Sequence, residues 1–299
     1  MKFASMLGGV ALVVCSAVVI PAAAQEGRGD VVYVPTPQVV VDTMLEMAKV
    51  SARDFLIDLG SGDGRIVITA ASKYGASGFG VDLDTYLLKL ANQNAQKAGV
   101  ADKVHFAEEN LFLTDLSRAT VITSYLLPEM NLRLRSKLMT LKPGTRIVTH
   151  DYHLGQWDPE ERRDLIVPEK VVGTPGISYI YSYVVPARVA GRWQSLVSIG
   201  GRDMPMEFDL QQLFQEIDGK VEIRDRSSDL RGRILGDRIR LLAGGRGGLP
   251  RHEFTGQIAD GTITGTLAIG EGASRQQVAW TARQIQRGEL KRASDEPKF

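Results

Sequence analysis

The sequence predicts an α/β protein in which a doubly wound parallel sheet is followed by a smaller all-β barrel or sandwich. From about residue 38 to 185, short apolar runs alternate with helical patterns, the arrangement of parallel strands joined by crossover helices. The first of these runs, Phe55-Leu56-Ile57-Asp58-Leu59, passes through Gly60, Gly62 and Gly64 into a helical stretch that opens at Arg65. A strand, a glycine turn and a helix in series mark the edge of an open sheet where ligands bind. After Pro186 the texture changes to short alternating segments parted by glycines, which bury their apolar side only if an antiparallel sheet closes or stacks on itself.

Taken in order, residues 38–49 form an amphipathic helix introduced by Pro35 and Pro37. Strand one covers 55–59, and a helix from 65 to about 73 follows the glycines. Strand two is 78–81; the helix over 85–98 stops at Gly99, a residue that tolerates the left-handed turn at a helix end. Strand three covers 104–107 and strand four 119–125. Pro128 opens a helix carrying Leu132, Leu134 and Leu138, and Pro143-Gly144 turns the chain into strand five, 146–150. Val171-Val172 and 177–185, parted by Thr174-Pro175-Gly176, read as the closing hairpin of the sheet. Beyond it, 206–210, 219–223, 232–241, 254–258 and 262–267 alternate apolar and polar residues, as half-buried strands do. Trp193 and Trp280 stand near the two ends of this region and either plug its core or line a ligand mouth. The chain thus divides into an α/β domain over 31–186, an all-β domain of unassigned role over 187–285, and a charged tail, 286–299, expected to be flexible.

Composition is that of a globular protein: 299 residues, 43% hydrophobic, 24% charged, formal net charge +1, enough chain for two domains. So balanced a charge gives no electrostatic case for nucleic acid. The arginine-rich stretch 224–240 is interleaved with Asp225, Asp229 and Asp237 and reads as a solvated strand face. At the start, Lys2, an apolar run over 6–20, Pro21 and Ala22-Ala23-Ala24 before Gln25 read as a signal peptide, 1–24. The mature chain is then exported to the periplasm, with no stable membrane insertion; an uncleaved anchor is the alternative, since the run approaches spanning length. Cleavage removes Cys15, the only cysteine, so the mature chain forms no disulfide.

The glycine turn reads Gly-x-Gly-x-Gly, and Arg65 stands where a dinucleotide fingerprint has its third glycine. That disfavours a nicotinamide enzyme. Asp58 and Asp63 would repel a pyrophosphate and attract an ammonium or sulfonium group. Asp82 ends the next strand, where a carboxylate accepts both hydroxyls of a ribose. S-adenosylmethionine carries all of these features.

Asp58-Leu59-Gly60-Ser61-Gly62-Asp63-Gly64-Arg65 together with Gly80-Val81-Asp82 resembles motif I and the post-strand acidic residue of class I S-adenosylmethionine-dependent methyltransferases. With Tyr33-Val34-Pro35-Thr36-Pro37 upstream, the region of about 31–185 resembles the small protein-lysine methyltransferases related to those acting on mitochondrial carrier and ATP synthase subunits. The resemblance implies a seven-stranded Rossmann-like sheet, S-adenosyl-L-methionine as cofactor and a protein lysine as methyl acceptor. Asp58 and the Gly60 backbone then hold the methionine ammonium end of the cofactor, Gly62 and Gly64 belong to the same cofactor-binding turn, and Asp82 binds the ribose. Leu83 then covers the adenine, and Asn110 meets the adenine amino group, with a plain turn cap as the other reading of Asn110. Tyr33 and Thr36 close over the cofactor or form a simple proline turn.

Methyl transfer from a sulfonium needs alignment and a dry pocket more than acid–base machinery. The loop 124–131 after strand four lies where an acceptor approaches, with Tyr125 to stack on or hydrogen-bond the nucleophile and Glu129 to orient an ammonium; Glu129 is otherwise a helix N-terminal charge. The loop has neither the Asn-Pro-Pro-Tyr pattern of amine and amide methylases nor a Pro-Cys nucleophile, which disfavours base methylation. In His150-Asp151-Tyr152-His153 two histidines and one acid are a thin ligand set, and no metal is expected; His150 or Asp151 instead lines the acceptor pocket. Two functions stay open: an exported methyltransferase, and a non-catalytic cofactor-fold module that recognises an envelope ligand through its β domain. An exported enzyme would still need a source of a cytosolic cofactor.

Overall fold

A computed structural model gives the architecture, and it describes residues 32–244, 250–272 and 275–295. The signal-like segment 1–24 lies outside the described residues.

Helix α1 (Gln38–Met47) starts directly after Pro37, whose carbonyl accepts from Val40 N and Val41 N at 2.9 and 3.0 Å. It buries Val40, Val41, Met44, Leu45 and Met47, a stripe at helical spacing. Then come β1 (Phe55–Leu59), α2 (Arg65–Tyr74), β2 (Ser77–Asp82), α3 (Thr85–Lys97), β3 (Val104–Glu108), β4 (Val121–Ser124), α4 (Pro128–Leu138), β5 (Arg146–His150), β6 (Glu161–Ile166) and β7 (Ile177–Val184). They build a seven-stranded sheet in the order β3-β2-β1-β4-β5-β7-β6. The first five strands run parallel, and β7 is antiparallel to both β5 and β6. The period of two divides the side chains of β1: Leu56 packs with α1, α2 and α3 on one face, Ile57 and Leu59 with α4 on the other. Burying one such leucine or isoleucine contributes roughly 1.5–3 kcal/mol. The chain steps from β1 outward to β2 and then back past β1 to β4, so the strand order reverses there and a cleft opens at the strands' carboxyl ends.

The closing hairpin differs from its sequence reading. Its first strand is β6, and Val171 and Val172 lie in the following loop, 80% and 44% exposed. Residues 161–166 are Glu-Arg-Arg-Asp-Leu-Ile, an edge strand dressed with the ion pairs Arg162–Asp164 and Arg163–Glu161. Charge on an edge strand guards it against pairing with other chains and erases the apolar signal by which strands are recognised.

A closed eight-stranded antiparallel barrel follows: β8 (Gly191–Ile199), β9 (Arg202–Leu213), β10 (Glu216–Ile223), β11 (Arg226–Leu235), β12 (Arg238–Ala243), β13 (His252–Ala259), β14 (Thr262–Ile269) and β15 (Gln276–Arg287). The stretch 232–241, read as one segment, is two strands separated by a turn at Gly236, whose φ is +61°. Trp193, Phe208, Phe254 and Trp280 are buried together inside, with Phe208 and Phe254 edge to face at 5.2 Å. Small barrels fill with side chains in this way, and both tryptophans serve as core plugs.

The barrel rests on the sheet domain through stacked Trp157 and Phe214 (centroids 5.6 Å, 2° between planes) and the ion pair Arg233–Glu160 at 3.0 Å. Residues 286–295 of the segment expected to be a flexible tail belong to this contact. Residues 286 and 287 complete β15, Lys291 N donates to Gln212 O at 2.8 Å, and Asp295 pairs with buried Arg135 of α4 at 2.8 Å. A run of charges reads as solvated tail only until its partners are known. Among the described residues no helix is long and apolar enough to cross a membrane.

Candidate active site

Between β1 and α2 the chain reverses through Gly60, Gly62 and Gly64 at φ +77°, +52° and +80°, the left-handed region that a Cβ resists. Gly60 N and Ser61 N both donate to Val81 O at 2.9 Å, and Gly62 N donates to Asp82 Oδ2 at 2.8 Å. The turn is thereby tied to the end of β2. Space matters as much as conformation: a Cβ on Gly62 would overlap the Tyr33 ring, and one on Gly64 would come within 2.6 Å of Phe106.

The cleft at the strand ends has a volume of about 280 Å³. Tyr33, Thr36, Asp58, Gly60, Asp82, Leu83, Asn110 and Tyr125 all border it, so most of the residues chosen from sequence come together. Gly62 and Gly64 do not border it and act from behind, through the bond to Asp82 and the packing on Phe106. Glu129 stays outside as well. It is an exposed residue in the first turn of α4, where its charge complements the helix N-terminus rather than the cleft.

Asp58 is 2% exposed and accepts from Thr123 Oγ1 at 2.7 Å. Burial pushes its carboxyl up to about 7; the Thr123 bond works against this, while Asp82 and Asp63 add to it. Burial also raises Asp63, yet the guanidinium of Arg65 outweighs it with bonds of 2.9 and 2.7 Å and holds that carboxyl below the usual range. Arg65 Nη1 reaches on to Thr36 O at 2.8 Å. The arginine that replaces a third glycine therefore clamps the Pro-Thr-Pro segment to the turn, a role that its sequence position did not reveal.

Asp82 uses one oxygen on Gly62 N and the other on Asp84 N, at 2.8 and 3.0 Å. Each oxygen keeps a lone pair for a ribose hydroxyl. Asn110 makes the turn-cap bond, its amide oxygen accepting from Phe112 N at 3.0 Å, so an adenine amino group would meet an oxygen already bonded once. Leu83 is 48% exposed on the rim.

Two buried polar atoms beside the turn, Ser61 Oγ and Asp84 Oδ2, have no hydrogen-bond partner in the protein, while the Tyr33 hydroxyl faces Asp63 and Arg65. Orphaned atoms of this kind are costly unless a ligand or water completes them. With a buried carboxylate at Asp58 and a free pair of acceptors at Asp82, they fit a ligand that carries an ammonium group and a ribose.

At the other end of the cleft stands Tyr125, directly after β4. Its hydroxyl donates to Asp151 Oδ2 at 3.0 Å, and its ring lies 3.9 Å, centroid to centroid, from that of His150. Asp151 follows β5 at φ +62°, an uncommon conformation for a non-glycine residue. Lys170, 7% exposed, pairs with Asp151 at 2.8 Å and donates to the carbonyls of Thr174 and Ile177 at 3.2 and 2.5 Å. Nothing in the sequence around Lys170 announces a buried cation. His150 is fully buried with Nε2 at 3.0 Å from Ser178 Oγ, and burial pushes its pKa down to about 4, leaving it neutral. His153 instead accepts from Gly155 N at 2.9 Å and meets Tyr181 edge-on. Asp151 and His150 thus lie behind Tyr125 rather than on the cleft wall.

Residues 58–161 match the ANTKMT methyltransferase domain family. A protein-lysine N-methyltransferase of Saccharolobus islandicus is 45% identical over 131 residues, covering 43% of this chain and 81% of that protein. An adenine nucleotide translocase lysine N-methyltransferase of Mus musculus is 32% identical over 105 residues, 35% of this chain and 46% of that protein's length. Among solved structures, an RNA methyltransferase of Salinibacter ruber in complex with S-adenosyl-L-homocysteine is 47% identical, with a TM-score of 0.48, covering 52% of this chain and 96% of that one.

Proposed function

The chain belongs to the S-adenosylmethionine-dependent methyltransferases of the ANTKMT-domain type, and from that premise we propose that it methylates a lysine side chain of a protein. Two things support the lysine: the relative in Saccharolobus islandicus bears the name protein-lysine N-methyltransferase, and a hydroxyl with its proton already engaged, Tyr125, borders the cleft. The second observation carries the reading, since an oxygen that offers only lone pairs suits an N–H donor.

S-adenosylmethionine supplies a methyl group activated on a sulfonium, so a neutral amine takes it as the S–C bond breaks and the N–C bond forms, and the extra proton leaves to water. The protein binds, orients and keeps dry. With S-adenosylmethionine bound, Asp58 and the Gly60 backbone would hold the ammonium end, Asp82 the two ribose hydroxyls, and Leu83 with the Asn110 loop the adenine. Tyr33 and Thr36, fixed by Arg65, close the near side. Tyr125 faces the acceptor, where alignment is worth most in the transition state.

Our reading keeps the chain in the periplasm, with the mature protein starting at Gln25. Mass spectrometry of the protein from an envelope fraction tests this; a retained Lys2 or Met6 would make the segment an anchor. The substrate is tested by incubating protein lacking residues 1–24 with methyl-labelled cofactor and envelope and cytosolic extracts, then digesting the labelled bands. Methyl-lysine is the outcome expected. Labelled nucleic acid, lipid or small molecule would overturn the lysine, and no label in any extract would favour a binding module.

A further inference from the structure

We propose that Asp151 and Lys170 form a charge-neutral positioning pair that fixes the Tyr125 hydroxyl as a hydrogen-bond acceptor for the N–H of the methyl acceptor. The lysine reading enters only through the identity of that amine.

The pair is fully bonded. Asp151 Oδ1 accepts from Tyr179 N at 3.2 Å; Lys170 Nζ straddles the carboxylate, 3.0 Å from Oδ1 and 2.8 Å from Oδ2; and Oδ2 also accepts from Tyr125 OH at 3.0 Å. The three protons of Lys170 are taken by Asp151 and by the carbonyls of Thr174 and Ile177. A phenol has one proton, and here it points away from the cleft, so only lone pairs are left for a substrate. Neither Asp151 nor Lys170 borders the cleft, which makes them positioning residues and not catalytic ones.

The positive partner matters for the electrostatics. The cleft already holds Asp58, Asp63 and Asp82. A bare carboxylate behind Tyr125 would favour the acceptor as an ammonium, which has no lone pair for the methyl; Lys170 cancels that charge while the acceptor polarity of Tyr125 stays. The arrangement is held by three separate elements, the end of β4, the left-handed residue after β5 and the loop between β6 and β7.

The groups facing the Tyr125 hydroxyl are Asp151, with neutral His150 beside it, Tyr152, and Lys170 behind Asp151. Burial first and the Asp151 carboxylate second push the phenol well above its usual range. Two variants therefore act in opposite directions. Asp151→Asn removes the anion and can turn its amide NH₂ toward the phenol oxygen, so Tyr125 ionises at lower pH. Lys170→Met leaves the anion uncancelled, so Tyr125 ionises at higher pH.

The experiment follows the ¹⁹F signal of Tyr125 in protein labelled with difluorotyrosine, whose more acidic phenol brings the raised titration into a range the fold survives, assigned by its loss in Tyr125→Phe, through a pH titration of the wild-type sequence and both variants, with no acceptor present. Opposite shifts support the pair; shifts of the same sign, as general loosening would give, overturn it. If one variant fails to fold, the other decides by its own sign. Turnover is then measured with poly-L-lysine as the probe. Tyr125→Phe and Asp151→Asn should each lower kcat about tenfold, the worth of one hydrogen bond, with cofactor affinity within about twofold of wild type. The double variant should be no slower than Tyr125→Phe, because Asp151 acts through the phenol. Losses that multiply would overturn the proposal. Absence of turnover on poly-L-lysine, with opposite shifts in the titration, would remove the lysine reading and leave the pair standing.

Discussion

A carboxylate walled in at the end of β1, with Thr123 donating to it, keeps its proton up to about pH 7 until a cation arrives. Binding of the cofactor's ammonium selects the ionised form, so affinity for S-adenosylmethionine should fall below pH 7, approaching about tenfold per pH unit, the limit for one linked proton. Calorimetry between pH 8 and 5.5 reads this; a flat profile would mean that Asp58 does not face the ammonium. The same raised value acts on the fold. The folded carboxyl binds its proton more tightly than the unfolded one, at 3.8, so the stability it contributes is full below pH 4 and is lost as pH rises toward 7. Asp58→Asn should accordingly raise the melting temperature of the cofactor-free protein at pH 8 while costing about 1–3 kcal/mol of cofactor binding. At this scale the sequence spoke through acids and glycines, because a turn at positive φ and a carboxylate at a strand end leave recognisable letters. It stayed silent about Arg65 and Lys170, whose roles depend on which distant backbone carbonyls and carboxylates the fold brings to them.

Elements were legible where burial makes them apolar. Helix α1 shows the 3.6 period of one buried face, and β1, β4 and β5, buried on both faces, read as short apolar runs, whereas β6 is an edge strand of charges and was displaced in the sequence reading to Val171-Val172. The loop after β3 is a further case in which local pattern says little. It has no regular structure, yet Lys137 of α4 donates to Phe112 O at 2.9 Å and to Thr114 O at 2.5 Å, and the guanidinium of Arg133 covers the Phe112 ring at 3.8 Å. Because Asn110, Leu111 and Phe112 border the cleft, these two cations of one helix hold a wall of the site. Lys137→Met should release that wall and weaken cofactor binding about three- to tenfold, roughly one hydrogen bond, with little change in melting temperature. A titration that matches wild type would show that the loop is held by its own turn.

Across the whole molecule, the change from α/β to antiparallel texture after Pro186 was visible from sequence, but closure was not, since alternating strands serve a sandwich equally well. What closes the barrel is the pairing of β15 with β8, from Ala282 opposite Ser195 to Arg287 opposite Gly191, its first strand and its last. That seam sets a timetable. As the chain is made, β8 waits with one edge bare until β15 has appeared, whereas the parallel sheet has all of its strands long before. Contacts so distant along the chain form slowly, so refolding should show a fast phase and a later one. Single-tryptophan variants separate them: Trp157, packed on Tyr183 of the sheet and Phe214 of the barrel, should report both phases, and Trp193 and Trp280 the late one alone. A chain stopped before Gln276 would never reach the second phase, and its bare β8 and β14 edges should drive it to aggregate, which light scattering during refolding would register.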